Sequence, residues 1–224
     1  MLGSHLWRYI SYLVAGAVAH PAHRLTADWW DEHYRLGALG RIDGSQELPR
    51  YLMVAGLVAH HAPSSPVLDV GCGVGTLLES LRAHGALGPS RYVGVDLSRH
   101  ALAKARERWG EGAAGGGGGP SAQSQIEFIE ADSETFPLSE QFGAIIFSES
   151  LYYSPDPRST ILRYAEALRP GGVIIVSMWR RPSRRRVWRA LARELTERSR
   201  VKIVVPRRPA WDVVTYAHSP AGTR

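Results

Sequence analysis

The sequence predicts an α/β fold, a mostly parallel sheet with helices on both faces, and three observations predict it. From residue 67 onward, short apolar runs alternate with stretches of helical periodicity, the order expected of strands joined by crossover helices. Two late runs, residues 144–148 and 173–178, are almost continuously apolar, as strands covered on both faces are. A glycine-rich turn, Gly71 to Gly75, joins the first run to the helix that follows it. At 224 residues the chain is longer than a typical domain of about 100–150, yet one α/β domain with additions accommodates it. Its 44% hydrophobic and 21% charged residues are ordinary for a chain that folds around one core.

The elements follow in order. Residues 10–19 are apolar and end in Ala17-Val18-Ala19, which resembles a weak secretory cleavage site. Trp7, Tyr9 and Tyr12 interrupt the aliphatic run, however, and Leu6, Ile10, Leu13 and Ala17 recur at helical spacing. The segment therefore reads as a docked amphipathic helix, too short to span a bilayer. Thr26 or Asp28 caps a second helix through Arg35, residues 37–44 form a loop, and Pro49 opens a third helix toward His61. No strand precedes these helices, so residues 1–61 are expected to form an N-terminal helical section and 62–224 the sheet-based core.

The first strand is Val67-Leu68-Asp69-Val70, and helical spacing resumes over residues 76–84. A second strand at 91–95 ends at Asp96, and Ser98 caps a helix that runs to about Trp109. Residues 110–125 contain five consecutive glycines and no apolar pattern, which predicts a flexible surface insertion. Strands are predicted at 126–130, 144–148 and 173–178, with a helix at 160–168 stopped by Arg169-Pro170-Gly171-Gly172. Another helix is predicted over 184–198. Two last strands at 201–205 and 211–217 bring the total to seven.

Cys72 is the only cysteine, so no intramolecular disulfide can form and no cluster of cysteine metal ligands exists; a reducing compartment, the cytoplasm, fits best, and no metal is expected. The net charge of +6 is unevenly placed. Residues 180–208 hold twelve arginines and lysines against two glutamates, which leaves the rest of the chain acidic. Such a patch attracts nucleic acid, anionic lipid or an acidic small molecule, and charge alone does not choose among them. Arg180, Arg181, Arg184, Arg185 and Arg186 also stand where a helix is predicted to begin, an end whose dipole repels cations. Either an anion on the substrate or partner compensates, or the turn is a solvated basic one.

The chemistry concentrates at the strand ends. In Gly71-x-Gly73-x-Gly75 the third glycine comes one residue earlier than in the G-x-G-x-x-G turn that leads a pyrophosphate onto a helix N-terminus, and Asp69 sits two residues before the first glycine. Backbone carbonyls and a carboxylate suit an ammonium group better than a phosphate. This D-x-G-x-G-x-G pattern resembles motif I of class I S-adenosylmethionine-dependent methyltransferases, a Rossmann-like family. Tyr92-Val93-Gly94-Val95-Asp96, Glu130-Ala131-Asp132-Ser133, Phe142-Gly143-Ala144-Ile145-Ile146-Phe147 and Leu168-Arg169-Pro170-Gly171-Gly172 continue the resemblance in order, over roughly residues 65–180. It implies a seven-stranded, mostly parallel Rossmann-like sheet and S-adenosyl-L-methionine as cofactor. Asp69, Gly71, Gly73 and Gly75 would lie against its amino-acid portion, Asp96 with Leu97 at the ribose, and Asp132 with Ser133 at the adenine, with Ser148 ending strand four beside them. Trp30 and Tyr34, one helical turn apart, resemble the W-x-x-x-[YW] helix that small-molecule members of the family fold over the cofactor as a lid.

Methyl transfer is an in-line displacement, so the protein supplies proximity, alignment and exclusion of water, and a base only where the nucleophile must lose a proton. Candidates at the carboxyl edge of the sheet are Glu149, Tyr152 and Tyr153, with His33 from the lid; His60 and His61 precede strand one and are expected at the opposite edge. The compact chain is similar to small-molecule members such as nodulation-type N-methyltransferases, which implies methyl transfer to nitrogen or oxygen of a small metabolite. A nucleic-acid methyltransferase is the alternative that the basic patch favours. Ser148-Glu149-Ser150-Leu151, however, departs from the [DNS]-P-P-[YF] that amino-methylating nucleic-acid enzymes present to a flipped base. A relative that binds the cofactor without methylating is the third reading.

Overall fold

A computed structural model describes residues 25–37, 46–88, 90–110, 125–206 and 210–218 of the chain. The helix predicted at 10–19 and nearly all of the glycine-rich insertion lie outside the described residues.

Two helices precede the sheet, α1 (Ala27–Arg35) and α2 (Leu48–His61). They are followed by β1 (Val67–Val70), α3 (Thr76–Ala83), β2 (Tyr92–Asp96), α4 (Arg99–Trp109), β3 (Ile126–Glu130), β4 (Phe142–Ser148), α5 (Pro157–Ala165), β5 (Leu168–Trp179), α6 (Arg185–Glu194), β6 (Thr196–Ile203) and β7 (Trp211–Ala217). The seven strands form one sheet in the order β3-β2-β1-β4-β5-β7-β6. β1 to β5 run parallel, and β7 inserts antiparallel between β5 and β6. The order reverses at β1, so the crevice at the carboxyl ends of β1 and β4 is where such a sheet receives a ligand.

Burial explains why the strands read as continuous apolar runs. Val67, Tyr92, Ile146 and Ile175 face one core together with Val54 and Val58 of α2, Leu77 and Leu81 of α3 and Leu102 of α4. Their immediate neighbours Leu68, Val93, Ile145 and Ile174 face a second core with Ile161 of α5 and Leu191 of α6. Consecutive strand residues point to opposite faces, and both faces here are covered. Among the described residues no helix is long and apolar enough to cross a membrane.

Helix starts follow their caps. The Thr26 and Ser98 hydroxyls accept backbone N–H bonds from Trp29 and Ala101. Three predicted boundaries are corrected. The helix placed at 160–168 begins at Pro157, because the Asp156 carboxylate accepts from Arg158 N and Pro157 occupies the first turn. The strand placed at 173–178 begins at Leu168; Arg169-Pro170-Gly171-Gly172 is an irregularity within it, exposed at its first three residues, where the pairing with β4 shifts register. The helix placed at 184–198 stops at Glu194, and Thr196–Ile203 is an edge strand on β7. Its glutamate and arginines are sound helix formers, but Val201 and Ile203 are drawn to the core side by pairing with Val213 and Trp211.

Candidate functional site

The cavity at the carboxyl edge is lined by the ends of β1, β2 and β4, the glycine loop, the turn after β3, and Leu25, Trp30, Tyr34, Arg50 and Tyr51 from the N-terminal section. At its floor the glycine loop is tied to β2: Gly71 N and Cys72 N both donate to Val95 O, at 2.8 and 3.1 Å. Gly73 N donates to Asp96 Oδ2 and Ser98 N to Asp96 Oδ1, each at 2.8 Å. Asp96 thus joins the loop to the start of α4 while still lining the cavity. Burial pushes its carboxyl up, against the pull of those backbone donors. Gly73 has φ +56°, and a Cβ there would fall 2.5 Å from Tyr34 Oη, so the Tyr34 side chain of α1 reaches directly onto the loop.

Asp69 is the most unusual group in the floor. Its Oδ2 accepts from Tyr92 Oη at 2.8 Å, whereas Oδ1 is buried and makes no hydrogen bond. Burial raises its pKa to about 7, opposed by the Tyr92 donor and the charge of Arg50. A buried carboxylate oxygen without a partner is costly, and a donor entering the cavity relieves that cost.

Arg50, on the buried face of α2, supplies the opposite charge. Its side chain pairs with Glu47 at 3.1 Å, and Nη1 donates to Ser148 Oγ and, at 3.4 Å, to Ser177 Oγ. Only 1% of the residue is exposed, yet it lines the cavity. Across from it Glu149 follows β4 with φ +60°, a left-handed backbone that costs a non-glycine residue. Glu149 Oε2 accepts from Tyr152 Oη at 3.1 Å and Oε1 is buried without a hydrogen bond. Burial raises the Glu149 pKa to about 7, while Arg50, Tyr152 and Arg184 oppose the rise.

α1 is tied down as well as packed. Asp31 accepts from Ser98 Oγ at 2.6 Å, Arg99 Nε at 2.9 Å and His100 N at 3.1 Å, so a carboxylate of α1 sits on the N-terminus of α4. Burial would raise the Asp31 pKa, but these donors outweigh it and hold the carboxyl below its ordinary value. Trp30 meets Tyr153 edge-to-face at 4.9 Å across the cavity mouth. An Asp31→Ala protein is expected to keep its fold but bind S-adenosylhomocysteine about tenfold more weakly, the scale of one lost charge-assisted bond, in a calorimetric titration. Unchanged affinity would show that this tie does not hold α1.

The sequence matches the family model of a methyltransferase domain over residues 20–207. The chain belongs to the methyltransferase-domain family. Among relatives, a ubiquinone biosynthesis O-methyltransferase of Aromatoleum aromaticum is 32% identical over 158 residues, 70% of this chain and 57% of that protein. The chain thus spans little more than half the length of that relative. Among solved structures, the N-methyltransferase NodS of Bradyrhizobium japonicum, in complex with S-adenosyl-L-homocysteine, aligns with a TM-score of 0.62 and 24% identity, covering 79% of this chain and 89% of its own. The glycopeptide N-methyltransferase MtfA aligns with a TM-score of 0.61 and 16% identity over 75% of this chain and 90% of its own. These likenesses establish the shared fold.

Within that family fold the cavity brings together Trp30, Tyr34, Asp69, Gly71, Gly73, Asp96, Leu97, Asp132, Ser133, Ser148 and Glu149. Gly75 lies behind the loop, where its carbonyl accepts from Trp109 Nε1 at 3.1 Å. Of the four candidates for a base, Glu149 and Tyr153 line the cavity and the other two do not. His33 stacks on Trp29 at 3.5 Å with Nδ1 at 2.7 Å from Trp29 O, and does not line the cavity. Tyr152 does not line it either and reaches it through Glu149, its ring covered by the Arg184 guanidinium at 3.4 Å. His60 and His61 are absent from the lining. The basic turn is partly absorbed within the protein: Arg184 is buried and Arg181 lies 5.2 Å over Trp179, whereas Arg180, paired with Asp212, and Arg185 stay exposed. Arg50 went unread in the sequence, though an arginine at helical spacing with Val54 and Val58 on an apolar face was the available signal.

Proposed function

We propose that the chain is an S-adenosylmethionine-dependent methyltransferase that transfers a methyl group to nitrogen or oxygen of a small metabolite. The observation that carries this reading is the pair of opposite charges at the glycine loop. Asp69 offers a buried oxygen without a hydrogen bond, and the Arg50 guanidinium lines the same cavity. The amino-acid end of the cofactor is a zwitterion, whose ammonium suits Asp69 and whose carboxylate suits Arg50. Asp96 would accept from the ribose hydroxyls, and Asp132, whose Oδ1 already accepts from Glu134 N at 2.9 Å, would stand at the adenine. Trp30 and Tyr34 would close over the bound molecule as a lid and exclude water. When bound, S-adenosylmethionine supplies an electrophilic methyl group on a sulfonium.

The names of the relatives support transfer to oxygen, and those of the structural neighbours transfer to nitrogen. Arg184, buried against the Tyr152 ring, is not presented to a backbone of phosphates, which favours a small acceptor over nucleic acid. A single cysteine, buried beneath the loop, fits work in a reducing compartment such as the cytoplasm. The test is to incubate the protein with methyl-labelled S-adenosylmethionine and a cell extract and to separate the products by size. Label in the small-molecule fraction supports the proposal. Label confined to RNA or protein, or none above background, refutes it.

A further inference from the structure

Glu149 has no part in the cofactor contacts proposed above, and three features set it apart from an ordinary loop carboxylate. It stands in the left-handed region at φ +60°, its Oε1 is buried in the cavity wall without a hydrogen bond, and its backbone N–H is pinned to Ser177 O of β5 at 3.0 Å. A glycine or asparagine would occupy that backbone at less cost, so the strain is tolerated where the carboxylate is useful. Tyr152 Oη fixes Oε2, and the Arg184 guanidinium lies on the Tyr152 ring, so the carboxylate is oriented from behind.

We propose that Glu149 Oε1 is the base that accepts the proton of the methyl acceptor, that Tyr152 positions it, and that the acceptor atom is the oxygen of a hydroxyl group. This rests on the methyltransferase reading of the cavity. As the acceptor oxygen attacks, its O–H bond breaks and the proton goes to Oε1. A lone pair of that oxygen forms the new bond to the methyl carbon, and the electrons of the breaking carbon–sulfur bond stay on sulfur, which leaves neutral as a thioether. No oxidant or further reactant is required. Buried Arg50 and Arg184 choose hydroxyl over ammonium: two cations facing Glu149 repel a positively charged acceptor and favour an oxygen that gains negative charge as it reacts. The aromatic rings of Trp30 and Tyr153, edge-to-face beside it, give the acceptor a flat apolar wall.

The groups facing Glu149 set its titration: Arg50 and Glu47 from α2, Tyr152 from its own turn, and Arg184 from the turn after β5. With its pKa raised to about 7, the carboxylate gains its proton-accepting form as pH rises through neutrality. Transfer to extract small molecules should therefore climb with pH to about 7 and then level. Glu149→Gln should lower transfer about 100-fold or more and abolish that inflection, with S-adenosylhomocysteine affinity unchanged. Tyr152→Phe, by removing a donor to the charged form, should move the inflection to higher pH, and carbon-13 NMR of the Glu149 carboxyl should report the same upward move without turnover. Glu149→Gly should raise the unfolding midpoint while abolishing transfer, a separation that a structural carboxylate would not give. Glu149→Gln with near-normal transfer, a flat wild-type pH profile, or a product methylated at nitrogen would overturn the proposal. Wild-type protein that binds no S-adenosylhomocysteine would instead refute the cofactor reading on which it rests.

Discussion

A Gly73→Val protein is expected to lose S-adenosylhomocysteine affinity by about 100-fold or more. Two independent costs converge on this position. The backbone has φ +56°, where a β-branched residue is strained by about 1–3 kcal/mol. The new Cβ would also meet Tyr34 Oη at 2.5 Å, so the Tyr34 ring must leave its place over the loop, or the loop or α1 must move. Moving the loop breaks the bond from Gly73 N to Asp96, and moving the lid opens the cavity. Calorimetry against wild type checks the affinity, and circular dichroism checks that the fold survives. Tyr34→Phe in the Gly73→Val background removes the colliding hydroxyl. Recovery of part of the binding would assign that part to the collision, and the remainder to backbone strain.

The second large effect is expected at Arg50, where Arg50→Ala should destabilise the protein by about 3 kcal/mol, the range for stripping one member from a buried ion pair. The guanidinium is 1% exposed, and its loss leaves Glu47 without its ion-pair partner and removes donors from Ser148 and Ser177. It also removes a positive charge that opposes the burial of both Asp69 and Glu149, so both carboxyls should titrate higher than in wild type. Urea unfolding with an unchanged slope measures the stability loss. Arg50→Met, which keeps much of the volume, separates packing from charge. If Arg50→Met matches wild type in stability and in S-adenosylhomocysteine affinity, the cation has no role in the cavity.

The same two carboxyls make stability depend on pH. Asp69 and Glu149 both sit near 7 in the folded protein, above their ordinary values. Between about pH 4 and pH 7 the folded state therefore binds more protons than the unfolded chain, and stability falls as pH rises through that window. A ligand whose ammonium pairs with Asp69 offsets part of this loss. The unfolding midpoint should accordingly drop from pH 5 to pH 8 without ligand, and saturating S-adenosylhomocysteine should stabilise more at pH 8 than at pH 5. A midpoint that rises over that interval would contradict the carboxyl assignments.

Much of this was legible in the chain because the determinants are local. The spacing of Gly71, Gly73 and Gly75 behind Asp69, the Ser98 cap and the apolar runs of β1, β4 and β5 each act over a few residues, and each apolar run lies within the strand its pattern predicted. What escaped depends on partners far along the chain. The first residues of β6, 196–198, read as the end of a helix until β7 pairs with them, because Glu197 and Arg198 carry no strand preference of their own. Asp31 looks like a surface acid of α1 until α4 presents Ser98, Arg99 and His100 to it, some seventy residues later. Arg50 finds its role only when β4 and β5 bring Ser148 and Ser177 beside α2. The left-handed backbone of Glu149 has no signature in a residue type that rarely adopts it.

On the proposed reading, the cavity over the glycine loop holds S-adenosylmethionine through the carboxylates beneath it. Asp96 tests it most directly, since it ties Gly73 and Ser98 together and lines the cavity at once. S-adenosylhomocysteine titrated calorimetrically should bind wild-type protein one to one, and Asp96→Ala protein that remains folded should give no measurable heat. Absence of binding to wild type, or equal binding by the two proteins, would contradict the account.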